Sequence, residues 1–321
     1  MPIILLGFKE HRLPHHYRTQ IQQIAPDYEL VVTPERAQIE AVLDDIEIAF
    51  RTFPHDLLDK APDLRWFQCW GAGVDWIQRY PELIENDLII TNASGVHAVP
   101  ISEHIMAFLL AFARGFPEQM RNQVQSKWAG PQDRNSLFEL EGKTMLLIGV
   151  GAIGARTAKL ANAHDMKVIG VLRNPSRPVD FVEQMISRND LLNHLPQADF
   201  VVLTVPLTTE TRGMIGEAEL RAMKESAYII NIGRGSTIQQ EKLIQALQEG
   251  WIAGAGLDVV ENEPLAASSP LWAMPNVILT AHYSGLTPQY TERIMEIFLD
   301  NLGRYVRGEG LRNVVDKGVG Y

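Results

Sequence analysis

The sequence predicts two α/β domains, each folded around a parallel sheet, and three observations carry that prediction. Apolar runs of four to six residues, bounded by Pro, Asp or Gly, recur along the chain. Polar segments with apolar residues at helical spacing separate them. At 321 residues, the chain is long enough for two domains of about 100–200 residues each.

Taken in order, the first stretch has strand-like runs at residues 3–7, 30–33, 46–50, 66–70 and 88–91. Short continuous apolar runs suit strands buried on both faces, as parallel strands are. Residues 100–114 read as a long helix. Apolar residues nearly encircle it, which calls for burial between domains or subunits. Residues 127–142 mix Gly, Pro, Asp and Asn and read as a linker. The second stretch has six strand candidates, at residues 144–149, 167–172, 200–205, 228–232, 255–259 and 277–280. Between two of them, Leu243, Ile244 and Leu247 share one face of a helix over 241–249. Six strands joined by helices make a doubly wound parallel sheet. The last helix is expected to start at Thr287 as N-cap with Pro288 in the first helical position, and to run to Val306.

Composition narrows the function. The chain is 46% hydrophobic and 21% charged, which suits a packed protein and not a disordered one. A net charge of −10 repels phosphate backbones and argues against a nucleic-acid partner. The same field repels small anions, so any anion site must be built from specific Arg, Lys or backbone N–H groups. The single cysteine, Cys69, excludes an intrachain disulfide and reads as a buried small hydrophobe. No metal-ligand cluster is visible. The start of the chain meets charge too early for a signal peptide, and no apolar run nears the ~18 residues of a membrane span. The expected location is the cytoplasm, with no membrane partner.

Gly149, Gly151 and Gly154 form a G-x-G-x-x-G motif, with Ala152 and Ile153 opening the following helical pattern. Alone the motif is a weak signal. Here a strand pattern precedes it and a second strand follows at βαβ spacing. One glycine permits a tight turn, one admits a pyrophosphate to the backbone, and one lets helix and strand pack closely. The helix N-terminus adds N–H groups and positive dipole. At the end of the second strand, where Asp or Glu would bind the ribose hydroxyls of NAD, the chain reads Arg173, Asn174, Pro175, Ser176, Arg177. Guanidinium groups pair with a 2′-phosphate that an acid would repel. NADP(H) is the expected cofactor, with Arg173 the main contact and Arg177 or Ser176 assisting; NAD(H) stays open as a second cofactor.

Ligands of a doubly wound sheet bind at the carboxyl ends of its strands. Arg234, Glu263 and His282 follow the fourth, fifth and sixth strand candidates of the second stretch. A protonated His282 can deliver a proton to a carbonyl oxygen as hydride reaches its carbon. Glu263 would hold the ring and stabilise the imidazolium. Arg234 would bind carboxylate and carbonyl oxygen together. Residues 71–73 form a glycine-rich turn whose N–H groups suit an anion.

Several motifs in order extend this reading: GAGVD at 71–75, SGVHAVPISEH at 94–104, GVGAIG at 149–154, VPLTTETRGMI at 205–215, NIGRGS at 231–236, LDVVENEP at 257–264 and AHYSG at 281–285. With them the chain resembles the D-isomer-specific 2-hydroxyacid dehydrogenases over essentially its whole length. The resemblance implies a Rossmann cofactor domain and a smaller flavodoxin-like substrate domain. Their expected bounds are 99–286 for the first, and 1–98 with 287–321 for the second. It implies Arg234, Glu263 and His282 as catalytic residues, and Ala72 and Gly73 as backbone donors to the substrate carboxylate. It places Asp258 near the nicotinamide carboxamide, and Val205, Pro206, Ile232 and Gly233 along the cofactor. The reaction implied is hydride transfer between NADP(H) and a small 2-keto or D-2-hydroxy acid in a homodimer, which the apolar 101–112 segment would support. Two departures stand out: Ala281 replaces a common Pro, and Arg173 replaces the acid. Arg51 either faces the substrate or makes a surface salt bridge. Ser94 and His97 are expected near the hinge, and Trp128 or Trp272 at the border of the pocket. The rival reading is a dinucleotide-sensing corepressor on the same fold. A formate-type or phosphorus-oxyanion dehydrogenase is a further one, less suited to so compact a chain.

Overall fold

The structure, a computed structural model, describes residues 1–131 and 136–318. The chain divides into two compact units, Met1–His97 with Thr287–Tyr321, and Ala98–Leu286.

In the first unit, β1 (Ile3–Leu6), β2 (Glu29–Val32), β3 (Ile46–Phe50), β4 (Trp66–Gln68) and β5 (Ile89–Thr91) pair in the order β2-β1-β3-β4-β5. All pairings are parallel. This is the flavodoxin-like order, and its direction of growth reverses between β1 and β3. Helices α1 (His15–Ile24), α2 (Arg36–Glu40) and α3 (Glu82–Glu85) lie in the connections. Alternation assigns the faces: Ile3 and Leu5 enter one core cluster, Ile4 and Leu6 the other. The second face is completed by the C-terminal helix, Tyr290–Val306, whose Ile294, Met295, Phe298 and Leu302 are fully buried. Phe298 stacks on Phe50 at 4.5 Å and on Trp66 at 5.4 Å. That helix begins later than its sequence suggests. Thr287 and Pro288 form a preceding turn, in which the Thr287 hydroxyl accepts from Gln289 N at 3.4 Å, and Gln289 is the N-cap.

The second unit opens with α4 (Ala98–Ala113) and α5 (Phe116–Val124). Its strands are β6 (Thr144–Ile148), β7 (Lys167–Val171), β8 (Gln184–Ile186), β9 (Phe200–Leu203), β10 (Tyr228–Asn231), β11 (Gly254–Leu257) and β12 (Val277–Leu279). They form one parallel sheet in the order β12-β11-β10-β9-β6-β7-β8. This is the doubly wound Rossmann order, reversing between β6 and β9. Helices α6 (Ala152–Asn162), α7 (Leu191–His194), α8 (Glu217–Ala222) and α9 (Gln240–Glu249) lie between strands. Seven strands stand where six were expected. The extra one, β8, is an edge strand of three residues with only Ile186 buried, too short to leave a periodic signal.

Two further expectations change. The helix at 100–114 is α4, and its Ile101, Ile105, Met106, Phe108, Leu109 and Phe112 are buried in the core of its own unit. The segment 127–142 joins α5 to β6 inside the second unit, so it does not link the units; its residues 132–135 lie outside the described residues.

Candidate active site

The glycine loop lies at the switch point of the second sheet, after β6. Gly149 has φ +94°, a left-handed conformation that only glycine adopts freely. A Cβ on Gly154 would lie 2.3 Å from the Gly149 carbonyl oxygen, so this position fixes how closely α6 meets β6. A Cβ on Gly151 would enter open space, and no side chain caps the first turn of α6. An uncapped helix start with free space before it fits a dinucleotide pyrophosphate. The Thr204 hydroxyl braces the loop by donating to Gly149 O at 2.6 Å. The segments after β9 and β10 run side by side, since a Cβ on Gly233 would sit 2.6 Å from Val205 O. Val205 in turn lies beside the glycine loop, its Cγ1 2.8 Å from where a Cβ on Gly149 would stand; Pro206 follows it in sequence and Ile232 precedes Gly233.

Arg173 lies two residues beyond β7 and faces Glu210 at 4.0 Å, both side chains mostly exposed. Thr208 fixes that carboxylate by donating to it at 2.8 Å and holds it below its usual range. The turn 174–177 is closed by Asn174, whose side chain accepts from Ser176 N and whose carbonyl accepts from Arg177 N.

Arg234 follows β10 on a turn set by buried Asn231. Asn231 accepts from Gly233 N at 3.1 Å and donates to Arg234 O at 3.0 Å. Thr237 donates to the same carbonyl at 2.7 Å, and Arg234 Nη1 donates to Gly233 O at 2.9 Å. His282 and Glu263 meet directly: Nδ1 lies 2.7 Å from Oε2, with both side chains partly exposed. Val260 N donates to the other Glu263 oxygen at 3.2 Å and orients it.

His282 has φ +53°, an unusual backbone for a side-chain-bearing residue. Asp258 holds it there. Its carbonyl accepts from His282 N at 2.8 Å. Its carboxylate accepts from Tyr283 N and Ser284 N, each at 3.1 Å, and from Thr280 Oγ1 at 2.6 Å. Burial alone would raise this carboxyl, but the bonds from Ser284, Thr280 and Tyr283 outweigh it and lower it. The chain of contacts continues from Thr280 Oγ1 to His104 Nε2 at 3.0 Å. Burial lowers His104 below the usual histidine value. Three of the roughly four acceptor sites of Asp258 are thus taken among the described residues. Sequence reasoning missed Asn231, Thr280 and His104. Asn231 and His104 lie inside the NIGRGS and SGVHAVPISEH segments and Thr280 just before AHYSG, but a hydroxyl, amide or imidazole there gives no signal until its partners are folded around it.

In the first unit, residues 71–73 follow β4. Ala93 N donates to Gly71 O at 3.1 Å and Asn92 donates to Ala72 O at 3.0 Å, which anchors the carbonyls. Among the described residues no acceptor occupies the N–H of Ala72 or Gly73. The Tyr290 hydroxyl donates to Trp70 O. His97 packs on the Tyr290 ring at 5.0 Å, and Ser94 O accepts from Asn313. Arg51 makes no surface salt bridge with the described residues and packs instead on Phe8 and Trp70. Burial pushes the Cys69 thiol up to about 12, so it is a packed thiol and not a nucleophile. Trp128 is fully exposed, and Trp272 is half exposed with its Nε1 donating to Ala266 O. Among the described residues no cluster of three or more His, Cys, Asp or Glu is placed to hold a metal ion.

Comparison with known proteins places this geometry in context. The family model for the D-isomer specific 2-hydroxyacid dehydrogenase NAD binding domain matches residues 106–284. A glyoxylate reductase of Thermofilum pendens is 35% identical over 82% of this chain and 78% of its own. A D-isomer specific 2-hydroxyacid dehydrogenase family protein from Aeromonas salmonicida superposes with a TM-score of 0.84 at 30% identity, covering 98% of this chain and 99% of its own. An NADPH-dependent glyoxylate/hydroxypyruvate reductase from Sinorhizobium meliloti, solved with NADP and sulfate, gives 0.82 at 28% identity, covering 100% and 99%.

Proposed function

This chain belongs to the D-isomer specific 2-hydroxyacid dehydrogenase family, and from that premise we propose that it reduces small 2-keto acids to D-2-hydroxy acids with NADPH. One observation carries the reading: the 2.7 Å pair of His282 and Glu263, held on a constrained backbone in the same unit as the glycine loop. Residues 99–286 then serve the dinucleotide, and residues 1–98 with 287–321 serve the substrate.

A bound nicotinamide dinucleotide supplies the hydride. Its pyrophosphate is held by Gly149, Gly151, Ala152, Ile153 and Gly154, and its length is lined by Val205, Pro206, Ile232 and Gly233. Asp258 offers its remaining acceptor site to the carboxamide. Arg173, assisted by Arg177 and Ser176, binds the 2′-phosphate. The exposed Arg173–Glu210 pair is screened by solvent and yields readily to a phosphate. NAD(H), lacking that phosphate, binds more weakly. The S. meliloti reductase, NADPH-dependent by name, supports this preference.

Ala72 and Gly73 donate to the substrate carboxylate. Arg234 pairs with carboxylate and carbonyl oxygen and stabilises the charge that develops there. His282 gives its Nε2 proton to that oxygen, and Glu263 at Nδ1 stabilises the imidazolium and fixes the ring. In the oxidative direction the same histidine accepts the proton. The corepressor reading has no support among the relatives described above.

The functional form is a homodimer. Phe116, Met120 and Val124 recur every fourth residue along α5 and are exposed, as is Trp128 beyond it. A second copy would bury this stripe, which light scattering on the purified protein tests. Among the described residues no single helix is long and apolar enough to cross a membrane; α4 and α5 meet the criterion only as a pair bent by 74°.

The test of the main proposal is oxidation of NADPH and NADH against a panel of 2-keto acids, with product chirality. D-glycerate from hydroxypyruvate, made faster with NADPH, supports it. An L product, or no turnover with any acid, refutes it.

A further inference from the structure

The switch point of the first sheet lies between β1 and β3, and the crevice beyond such strand ends is where open α/β sheets bind ligands. Two residues occupy these ends. Phe8 follows β1, and Arg51 directly follows β3. Arg51 has φ +76°, a rare backbone for arginine, secured by its N–H donating to Gln68 O at 3.0 Å. Its guanidinium carbon lies 4.4 Å from the Phe8 ring centre and 4.6 Å from that of Trp70. These rings stand at 83° to each other and form a corner around the cation.

No carboxylate among the described residues neutralises this guanidinium; its one side-chain bond is from Nη1 to Gly7 O at 3.4 Å. Burial lowers its pKa, and the nearby Arg12 guanidinium lowers it further. Arg12 also makes no ion pair with the described residues. A partly buried arginine without a counter-charge is unexpected on a chain with 39 acidic and 29 basic residues. Such a charge costs stability unless an anion joins it. A guanidinium carries five N–H donors, and the single bond to Gly7 O leaves donors for a carboxylate. Trp70 also leads directly into the turn at 71–73, so the corner and that turn are one stretch of chain.

We propose that Arg51, with Arg12 beside it, binds a second anionic group at the far end of the substrate, so that the preferred acids are dicarboxylic 2-keto acids. This rests on the reading that Ala72 and Gly73 hold the first carboxylate. Glyoxylate is too short to reach Arg51 and serves as the internal control.

The test compares wild type, Arg51→Leu and Arg51→Lys, each with NADPH and glyoxylate, 2-ketobutyrate, oxaloacetate or 2-ketoglutarate. Wild type should prefer at least one dicarboxylic acid over 2-ketobutyrate by about 30-fold in kcat/KM. Arg51→Leu should abolish that preference and leave glyoxylate within about threefold, which also shows that the variant folds. Arg51→Lys should keep part of it, having the charge without the planar fork. Absence of a preference in wild type, or an equal loss on glyoxylate, overturns the proposal. Wild type inert toward every acid signals failure of the reductase reading itself. In that event, saturable quenching of tryptophan emission by succinate, lost in Arg51→Leu, supports the anion site, and no such quenching overturns it.

Discussion

Asp258→Asn separates the scaffold of the proposed proton donor from the donor itself. In wild type, Oδ1 accepts from Thr280 Oγ1 at 2.6 Å and Tyr283 N at 3.1 Å, and Oδ2 accepts from Ser284 N at 3.1 Å. The asparagine oxygen can keep the first two bonds, but its amide then turns a donor toward Ser284 N. Losing a bond to a charged group costs about 1.5–3 kcal/mol, and an unsatisfied buried donor about 1–3 more. Asp258 is 2% exposed, so water does not relieve the mismatch. A total of roughly 3–5 kcal/mol lowers Tm by about 6–20 °C, since each kcal/mol shifts a domain of this size by about 2–4 °C. Without its anchors the backbone of His282 leaves φ +53°, and kcat for keto-acid reduction should fall by about 100-fold. KM should change by less than about threefold, because no donor to the substrate carboxylate is touched. The acid dependence gives a second readout. The folded carboxyl titrates below its unfolded value of ~3.9. Its stabilisation is therefore full above that value and is lost as pH falls through the folded one. The stability gap between wild type and Asp258→Asn should be constant above about pH 5 and begin to narrow below about pH 4. Thermal unfolding from pH 3 to 8, with steady-state kinetics at pH 7, measures both. Unchanged Tm and kcat, or a gap that does not narrow as pH falls below about 4, refutes the argument.

Other positions give independent checks. Arg173→Asp should shift the NADPH/NADH ratio of kcat/KM toward NADH by about 10–100-fold, the value of one charge-assisted phosphate contact; an unchanged ratio removes Arg173 from the cofactor site. Gly151→Ala adds a methyl to open space and should fold normally while weakening NADPH binding, read by fluorescence titration. Gly154→Ala forces a contact of 2.3 Å with Gly149 O and should instead lower Tm. The same effect from both substitutions would contradict the separate roles of the two glycines.

The strands of both sheets are legible because parallel strands bury both faces, so that runs such as 46–50 and 144–149 stay apolar without a break. The glycine motif is legible because each glycine answers a different steric demand. Glu263 and His282 could be paired in advance because both follow strands of one sheet. What stayed hidden depends on partners distant in sequence. Glu210 approaches Arg173 only after β9 and β7 are laid on either side of β6. Phe8 and Trp70 surround Arg51 only once β1, β3 and β4 are aligned. The start of the C-terminal helix was misjudged because Thr287 serves a local turn as readily as a helix cap. No periodicity reports φ +53° at His282, which is imposed by bonds to Asp258, 24 residues earlier in the chain.

The central claim is that His282 is the proton donor of an NADPH-linked keto-acid reductase. Its most direct test is single-turnover reduction of hydroxypyruvate by His282→Ala, with NADPH affinity measured on the same sample. The account predicts unchanged NADPH affinity and a reduction rate lower by about 10²–10⁴, the usual contribution of a positioned acid. A rate within threefold of wild type, at equal NADPH affinity, would contradict it.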